Sequence, residues 1–162
     1  MAQQQLQAQK EQLQQQLQAA AAMVKLSMMG MGALGKAFYK KCGEAALPII
    51  DEVMSGGGVE EGKLMKQMHP VKSMKDVGEI YKSMAAMTGM NMEVLKQTDD
   101  TLHFKMSQCP VGIEGTSKEL CEAMMATDKN AVSTLLGKGI SVQVLKTVAA
   151  GDKMCEVIFS TK

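Results

Sequence analysis

Three of the four cysteines lie in the last third of the chain, at Cys109, Cys121 and Cys155. A thiolate can attack a carbon centre or bind a metal ion, so their positions show where chemistry could occur. Cys109 precedes Pro110 at the end of a strand-like run, and Cys121 lies in a helical pattern. Cys155 follows a turn at Gly151-Asp152. The trio is therefore the first candidate for a functional site.

Cys109 is the best candidate for a nucleophile, because a loop position ahead of a helix N-terminus favours the thiolate. A cysteine nucleophile also needs a base, and His103 lies six residues earlier, with His69 as the alternative. Cys121 and Cys155 stand in apolar patterns that are equally typical of buried cysteines. The acidic residues that could assist are Glu114, Glu122 and Asp152, the last of which is more simply a turn residue.

Length and charge limit the classes of function. A chain of 162 residues can form one domain that buries ~70% of its unfolded surface. It has 18 basic and 17 acidic residues, so it lacks the broad positive field of nucleic-acid-binding proteins. We see no run of ~20 apolar residues and no signal peptide. We expect a cytoplasmic protein with no membrane span, whose cysteines serve binding, catalysis or packing instead of disulfides.

Methionine is abundant, with 17 residues against three Phe, two Tyr and no Trp. Its flexible, polarizable side chain fills irregular apolar spaces. The pattern predicts a methionine-filled core or, alternatively, an adaptable apolar pocket for a small molecule.

The first 29 residues differ from the rest of the chain. Ten glutamines lie between positions 3 and 18, and Leu6, Leu13 and Leu17 form a narrow apolar stripe at helical spacing. We predict a helical extension at 1–29 that attaches to a partner or to a second copy, and a single α+β ligand-binding domain at 30–162.

The segment from Gly30 to Gly35 matches the glycine fingerprint of dinucleotide-binding folds in form only. That motif needs a preceding strand and an acidic residue about twenty positions later. Here a strong helix former, Ala19 to Lys25, precedes it. We therefore interpret the glycines as close packing in or between helices, and we expect no nucleotide cofactor.

Periodicity predicts helices before strands. Apolar residues at helical spacing indicate a helix from Gly35 to Met54 that Pro48 could bend, ended by a turn at Ser55–Gly58. A short helix through Met68 and an amphipathic helix over 73–88 follow.

The second half alternates in the manner of strands. Met92 and Val94, then Leu102 and Phe104, indicate a β-hairpin with His103 on the face opposite Phe104. A helix begins near a capping box at Thr116–Glu119 and continues to Gly137, and a second hairpin closes the chain. The sequence therefore predicts an α+β fold: N-terminal helices, then a hairpin–helix–hairpin unit that forms a four-stranded antiparallel sheet.

The pattern of Cys109-Pro110, Cys121-Glu122, the run from Thr147 to Asp152, Cys155 and Phe159 resembles a known family. It is similar to the 4-vinyl-reductase-like small-ligand-binding domains and the related thiazoline-carboxylate hydrolase-like proteins, over about residues 36–160. The resemblance implies a mostly apolar pocket between helices and sheet. Relatives act as sensors of aromatic compounds, as accessory proteins in bacteriochlorophyll synthesis, or as hydrolases that open a thiazoline ring.

The resemblance also suggests a zinc site, because some relatives bind zinc through four residues. The first and last would be Cys121 and Cys155, whereas the middle positions hold Val144 and Thr147, which are not zinc ligands. A replacement set would be Cys109, Cys121 and Cys155, with His103 or Glu122.

Two functions remain. The first is a binding or accessory module that holds an apolar or thiol-bearing small molecule in a Met-rich pocket near the cysteine trio. The alternative is a hydrolase that uses Cys109 or a bound metal ion to break a C–N or C–S bond of a thiazoline-like substrate. We favour the first, since no complete ligand set and no certain catalytic base are visible.

Overall fold

A layer of helices covers one face of a four-stranded antiparallel sheet in the computed structural model, which describes residues 2–162. The helices are α1 (Ala2–Cys42), α2 (Leu47–Met68), α3 (Met74–Thr88), α4 (Lys118–Met124) and α5 (Ala126–Leu136). The strands are β1 (Met92–Gln97), β2 (Thr101–Met106), β3 (Ile140–Lys146) and β4 (Cys155–Thr161). Short 3-10 helices at Gly43–Ala46 and Val148–Ala150 precede α2 and β4. The predicted α+β fold is confirmed.

The two hairpins join side by side, so the strand order is β1-β2-β4-β3. In the central pair, Leu102 lies opposite Phe159, and Phe104 lies opposite Val157. These four side chains are buried against the helices, whereas His103 lies on the other face. The period-two alternation therefore correctly predicts which face of the sheet is covered.

The core has two parts. The larger cluster packs α3 and α5 on the sheet and includes Met74, Val77, Val132, Leu135 and Phe159. The second cluster joins the start of α2 to α4 and the loop before α4; its members include Ala46, Ile50, Ile113, Leu120 and Ala149. Met65, Met74 and Met124 are buried core residues, which confirms packing as one role of the methionines.

The helix α1 is continuous from Ala2 to Cys42, so no helix end lies at residue 29. Gly30, Gly32 and Gly35 lie inside it, and a Cβ at Gly32 would collide with the carbonyl oxygen of Val111. The interpretation of these glycines as close packing is confirmed for Gly32. The proposed division into 1–29 and 30–162 stays a prediction.

The predicted helix boundaries between Gly35 and Met68 are wrong. Helix α1 ends just before Gly43, whose φ of +62° suits glycine. Pro48 lies in the first turn of α2, where a backbone nitrogen has no hydrogen-bond partner within the helix, so proline costs nothing there. The predicted turn at Ser55–Gly58 is instead part of α2. The helix continues through these glycines because two glycines of α2 pack directly on α5.

Capping residues determine where the remaining helices begin and end. Ser73 and Asp76 form a capping box at α3, and Gly89 and Gly137 end α3 and α5 with φ of 69°. The hydroxyl of Ser117 accepts from the Leu120 amide at 3.1 Å. The N-cap of α4 is therefore Ser117, one residue after the predicted Thr116.

By length and composition alone, the helical region Gln3–Met68 is long and apolar enough to cross a membrane. A signal sequence or a core helix of a soluble protein meets the same criterion. The expected absence of a membrane span stays a prediction.

The contact of α2 with α5 generates a stability prediction. A Cβ at Gly58 would collide with the carbonyl of Thr127, and one at Gly62 with the carbonyl of Ala131. We expect Gly58→Ala or Gly62→Ala to lower the free energy of unfolding by about 2 kcal/mol, since overpacking outweighs the gain in helix propensity. Urea denaturation followed by circular dichroism measures the change.

The matched control is Gly57→Ala, on the same helix, because nothing lies within 4 Å of its Cβ position. It should raise stability by about 0.5–1 kcal/mol, as alanine does in an exposed helix. Equal effects of Gly57→Ala and Gly58→Ala would contradict the close contact.

Candidate functional site

Two of the three candidate cysteines, Cys121 and Cys155, lie near one buried side chain, that of Thr147. Cys155, at the start of β4, donates its thiol to Thr147 Oγ1 at 4.0 Å. The Cys121 thiol on α4 lies close to the same side chain, since Thr147 and Cys155 both affect its ionisation. Cys109 is half-buried in the loop between β2 and α4 and is near enough to affect the ionisation of both other thiols. The tertiary structure thus brings the three predicted residues together.

A turn at the end of β3 holds Thr147 in place. Its amide donates to Asp152 Oδ2 at 2.8 Å, and its hydroxyl accepts from the Ala149 amide at 3.2 Å. The Thr116 amide donates to the Ala149 carbonyl at 2.8 Å and so ties the start of α4 to the same turn. Asp152 therefore serves the turn that carries Thr147.

Burial keeps two of the thiols protonated. It raises the pKa of Cys121 to about 11, although the Thr147 hydrogen bond lowers it. Burial also raises the pKa of Cys155, and this effect outweighs the lowering by the Val148 backbone and the Thr147 side chain. Cys121 and Cys155 are therefore weak nucleophiles at neutral pH, and Cys109 remains the candidate among the three.

The predicted base His103 has a different partner. It lies on the face of the sheet away from the helices, and its Nε2 is 3.0 Å from Glu156 Oε1. Lys146 Nζ contacts the other oxygen of Glu156 at 3.2 Å. Over residues 2–162, no hydrogen bond joins Cys109 to His103 or to His69, which caps the C-terminal end of α2. The Cys109–His103 pair stays a prediction without support from these contacts.

The residues around Thr147 do not form a metal site as arranged. In the described part of the chain, no group of three or more His, Cys, Asp or Glu side chains could hold a metal ion. Val144 has no donor atom, and Thr147 is neutral. The zinc set of Cys109, Cys121 and Cys155 stays a prediction.

A separate cleft of ≈ 560 Å³ opens where the start of α2, the helices α4 and α5, and the strand β3 meet. Its apolar wall consists of Leu47, Pro48, Ala123, Met125, Ala126, Val142 and Val144. Charged side chains complete it: Asp51, Glu119, Glu122 and Lys129. None of the lining residues is cysteine or histidine, and only one is methionine.

The cleft and the thiol cluster lie on different sides of α4. Glu119, Glu122 and Ala123 line the cleft. Cys121 points roughly the opposite way, since successive residues of an α-helix are about 100° apart. The two features still share a wall, because Leu47 and Ala123 pack in the same apolar cluster as Cys109 and Cys121.

Sequence reasoning identified Glu122 but missed the other charged residues of the cleft. Asp51 and Lys129 are 78 positions apart, and no local motif connects them. It also missed the contact of Tyr81 with Asp128, where the phenol donates to Oδ1 at 2.7 Å. Burial raises the pKa of Asp128. Burial also raises the pKa of Glu61, and the negative charge of Asp128 raises it further.

A comparison with protein families decides the affiliation of the chain. The model of the L-2-amino-thiazoline-4-carboxylic acid hydrolase family matches residues 21–159. The chain belongs to this family. The resemblance noted from Cys109, Cys121, Cys155 and the turn at Thr147–Asp152 is thereby confirmed. A search of proteins with curated functions finds no match to this hydrolase-family chain.

Solved structures share the fold of this hydrolase-family domain. The phenol-responsive sensory domain of the transcription activator PoxR, with phenol, has a TM-score of 0.60 at 19% identity, over 83% of this chain and 74% of that one. Trafficking protein particle complex subunit 3 from Naegleria fowleri, covalently bound to palmitic acid, also has a TM-score of 0.60, at 16% identity. That match covers 87% of this chain and 96% of that one. At these identities the likeness shows the fold alone.

The raised pKa of Cys121 predicts a steep pH dependence of thiol labelling. At pH 8 about 0.1% of a thiol with a pKa of about 11 is thiolate, and this fraction rises about tenfold per pH unit. Alkylation of Cys121 by iodoacetamide should follow that rise. Mass spectrometry of the labelled peptides measures the rate, with the exposed Cys42 as internal reference. A Cys121 rate that levels off below pH 9 would contradict the burial of this thiol.

Proposed function

We propose that this domain binds a small molecule in the cleft between α2, α4, α5 and β3. The observation that carries the proposal is the combination of an apolar wall with a few charged side chains at one opening. Small-molecule sites have this composition, and their volumes are about 300–1,000 Å³. The cleft volume of ≈ 560 Å³ lies within that range.

The charges of the cleft suggest the chemistry of its ligand. Three carboxylates, on Asp51, Glu119 and Glu122, suit a cationic nitrogen, and the ammonium group of Lys129 suits a carboxylate. Glu122 Oε1 also lies 3.6 Å from Lys118 Nζ, so this lysine already balances part of the carboxylate charge. The compound in the family's name, L-2-amino-thiazoline-4-carboxylic acid, carries both an amino group and a carboxylic acid. We infer a small, compact ligand of this kind.

The two structural neighbours support binding as the general role. One was solved with phenol and the other with palmitic acid, so this fold can hold ligands of different shapes. The Met-rich pocket near the cysteine trio has weaker support here, because Met125 is the single methionine of the cleft. The cysteines would influence a ligand in the cleft only indirectly, through the apolar cluster on which both the cleft and Cys109 and Cys121 pack.

Binding can be tested with L-2-amino-thiazoline-4-carboxylic acid as the probe. We expect it to bind the wild-type protein and the Lys129→Ala variant to bind about tenfold more weakly, because a charge-assisted hydrogen bond is lost. Isothermal titration calorimetry measures the dissociation constants. The control Lys138→Ala removes an exposed lysine outside the cleft and should bind as the wild type does.

Equal affinities of the Lys129→Ala and Lys138→Ala variants would exclude Lys129 as the ligand's partner. No heat of binding for the wild type would exclude this compound as the ligand. Phenol and palmitate, titrated in parallel, show whether the cleft prefers an apolar ligand.

The second candidate function is hydrolysis of a C–N or C–S bond, which the family affiliation favours. Cys109 is the thiol for this reaction, because it is half-exposed in a loop while Cys155 is buried. Its thiolate would attack the ring carbon that bears the amino group and break the ring C–S or C–N bond at that carbon, and the departing atom would take up a proton. Water would then attack the same carbon and displace Cys109 as a thiol, so the opened product gains one water. A free base for Cys109 is the missing element of this mechanism, so we place binding first.

Replacement of one sulfur by oxygen tests the hydrolase function. If the wild type converts L-2-amino-thiazoline-4-carboxylic acid, Cys109→Ser should abolish turnover, because the serine hydroxyl is not activated, and should leave the circular dichroism spectrum unchanged. Mass spectrometry of the product, which gains one water, measures turnover. Cys42→Ser, at the exposed end of α1, should retain full activity. Full activity of Cys109→Ser would exclude this nucleophile.

We place the domain in a reducing compartment such as the cytoplasm, and the presence of four free cysteines supports this location. Zinc remains a proposal with the trio as its ligands; metal analysis of the purified protein by mass spectrometry decides it.

A further inference from the structure

An apolar stripe runs along α1, and the rest of the chain leaves it uncovered as far as Leu34; its last member, Phe38, is half-buried against the second core cluster. Its positions repeat at alternating steps of four and three residues, which is the heptad spacing of coiled coils. The apolar members, which we name the α1 seam, are Leu6, Leu13, Leu17, Ala20, Val24, Met31, Leu34 and Phe38. Lys10 and Ser27 are the two polar residues in the same repeat. The seam extends from the glutamine-rich segment far into the family-matched region.

The large seam residues before Phe38 are exposed although they are apolar. The exposed fractions are 54% for Leu6, 66% for Leu13, 56% for Leu17 and 73% for Leu34. A neighbouring side of α1 packs on the domain through Ala21, Gly32 and Gly35. One side of α1 is therefore used for folding, and the seam next to it is free. A row of leucines at this spacing is costly in water unless a partner covers it.

The residues that flank the seam carry no charge. In a two-stranded coil these flanking positions select the partner through ion pairs. Here they are Gln7, Gln9, Gln14, Gln16, Ala21, Met23, Met28, Gly30, Gly35 and Ala37. Such flanks provide no charge that would select a different protein and none that would repel an identical helix. We propose that the α1 seam binds the α1 seam of a second copy of this chain.

The seam is long enough for a specific dimer. Its uncovered part, from Leu6 to Leu34, spans about 44 Å of helix. A strip roughly 12 Å wide on each copy, the width of a helix with its side chains, buries about 1,000 Å² in total, which reaches the lower bound for specific interfaces.

The position of the domain beside α1 determines the orientation of the pair. The domain that packs beside α1, here called the body, has ~130 residues and is about 35 Å across. An antiparallel pair with the seams fully overlapped places both bodies on the same side of the coil, with centres about 25 Å apart along it, so they would collide. A parallel pair places them on opposite sides. The two helices are therefore parallel.

Lys10 agrees with a parallel pair in a defined register. Its counterpart in the second copy lies in the same layer near the free end of the coil. A single polar residue at such a position lowers the stability of the coil but penalises shifted registers, which would bury the lysine against leucine.

Light scattering coupled to gel filtration tests the dimer on the full-length protein. We expect the wild type at twice the chain mass of 17.4 kDa and the Leu13→Glu/Leu17→Glu variant at the monomer mass. The matched control is Leu26→Glu, which changes a leucine of 69% exposure on the same helix but outside the seam. It should remain dimeric. Circular dichroism checks that all three proteins are folded.

A monomeric wild type at tens of micromolar, or a Leu13→Glu/Leu17→Glu variant that remains dimeric, would overturn the proposal. A wild type that is monomeric in buffer and binds phosphatidylcholine–phosphatidylserine vesicles through α1 would overturn it as well. These outcomes are independent of ligand binding in the cleft.

Cysteine crosslinking distinguishes the two orientations. In a Cys42→Ser background, Leu13→Cys brings two thiols into one layer of a parallel pair, so oxidised glutathione should produce a covalent dimer on non-reducing electrophoresis. Leu26→Cys in the same background points away from the seam and should not crosslink. Crosslinking of both variants at equal rates, or of neither while the protein is dimeric, would overturn the parallel arrangement.

Discussion

The contact of α2 with α5 is the constraint on which the helical layer depends. Gly58 and Gly62 let the backbone of α2 touch the carbonyls of Thr127 and Ala131, a distance that no side chain at these positions would permit. Because α5 lies on the sheet through Val132 and Leu135, the contact also fixes α2 over the sheet. The start of α2 is then held at the distance from α4 and β3 that leaves the cleft open. A closer or wider pair of helices would close the cleft or expose the second core cluster.

Two kinds of chemistry lie on opposite sides of α4. On one side, the thiols of Cys121 and Cys155 lie near Thr147, and the low polarity of their surroundings keeps them protonated. On the other side, solvated carboxylates and a lysine surround an apolar floor. This division is the reason why we propose recognition in the cleft ahead of thiol chemistry at Thr147. The family is named for a hydrolase and shares its fold with a sensory domain and a trafficking subunit, since a fold does not fix a function.

Sequence patterns were informative where local rules decide the structure. Alternation predicted both hairpins and the buried face of Leu102, Phe104 and Phe159. The boundaries of α2 were wrong because Ser55–Gly58 has the composition of a turn. Packing on α5 outweighs the weak helix propensity of glycine there, and propensity does not report a contact with a helix about 70 residues later. The spacing of Cys109, Cys121 and Cys155 suggested a common site, which stays a prediction, and could not show that Thr147 lies near two of the sulfurs.

The sequence by itself determined the α+β class, the family resemblance and the leucine stripe at the start of α1, since each depends on residue type and spacing along the chain. Only the tertiary structure decided that Thr147 lies among the thiols, that His103 faces Glu156 on the far side of the sheet, and that Asp51 and Lys129 share a cleft. These relations join residues far apart in sequence. They follow from how the helices pack on the sheet, which local periodicity does not encode.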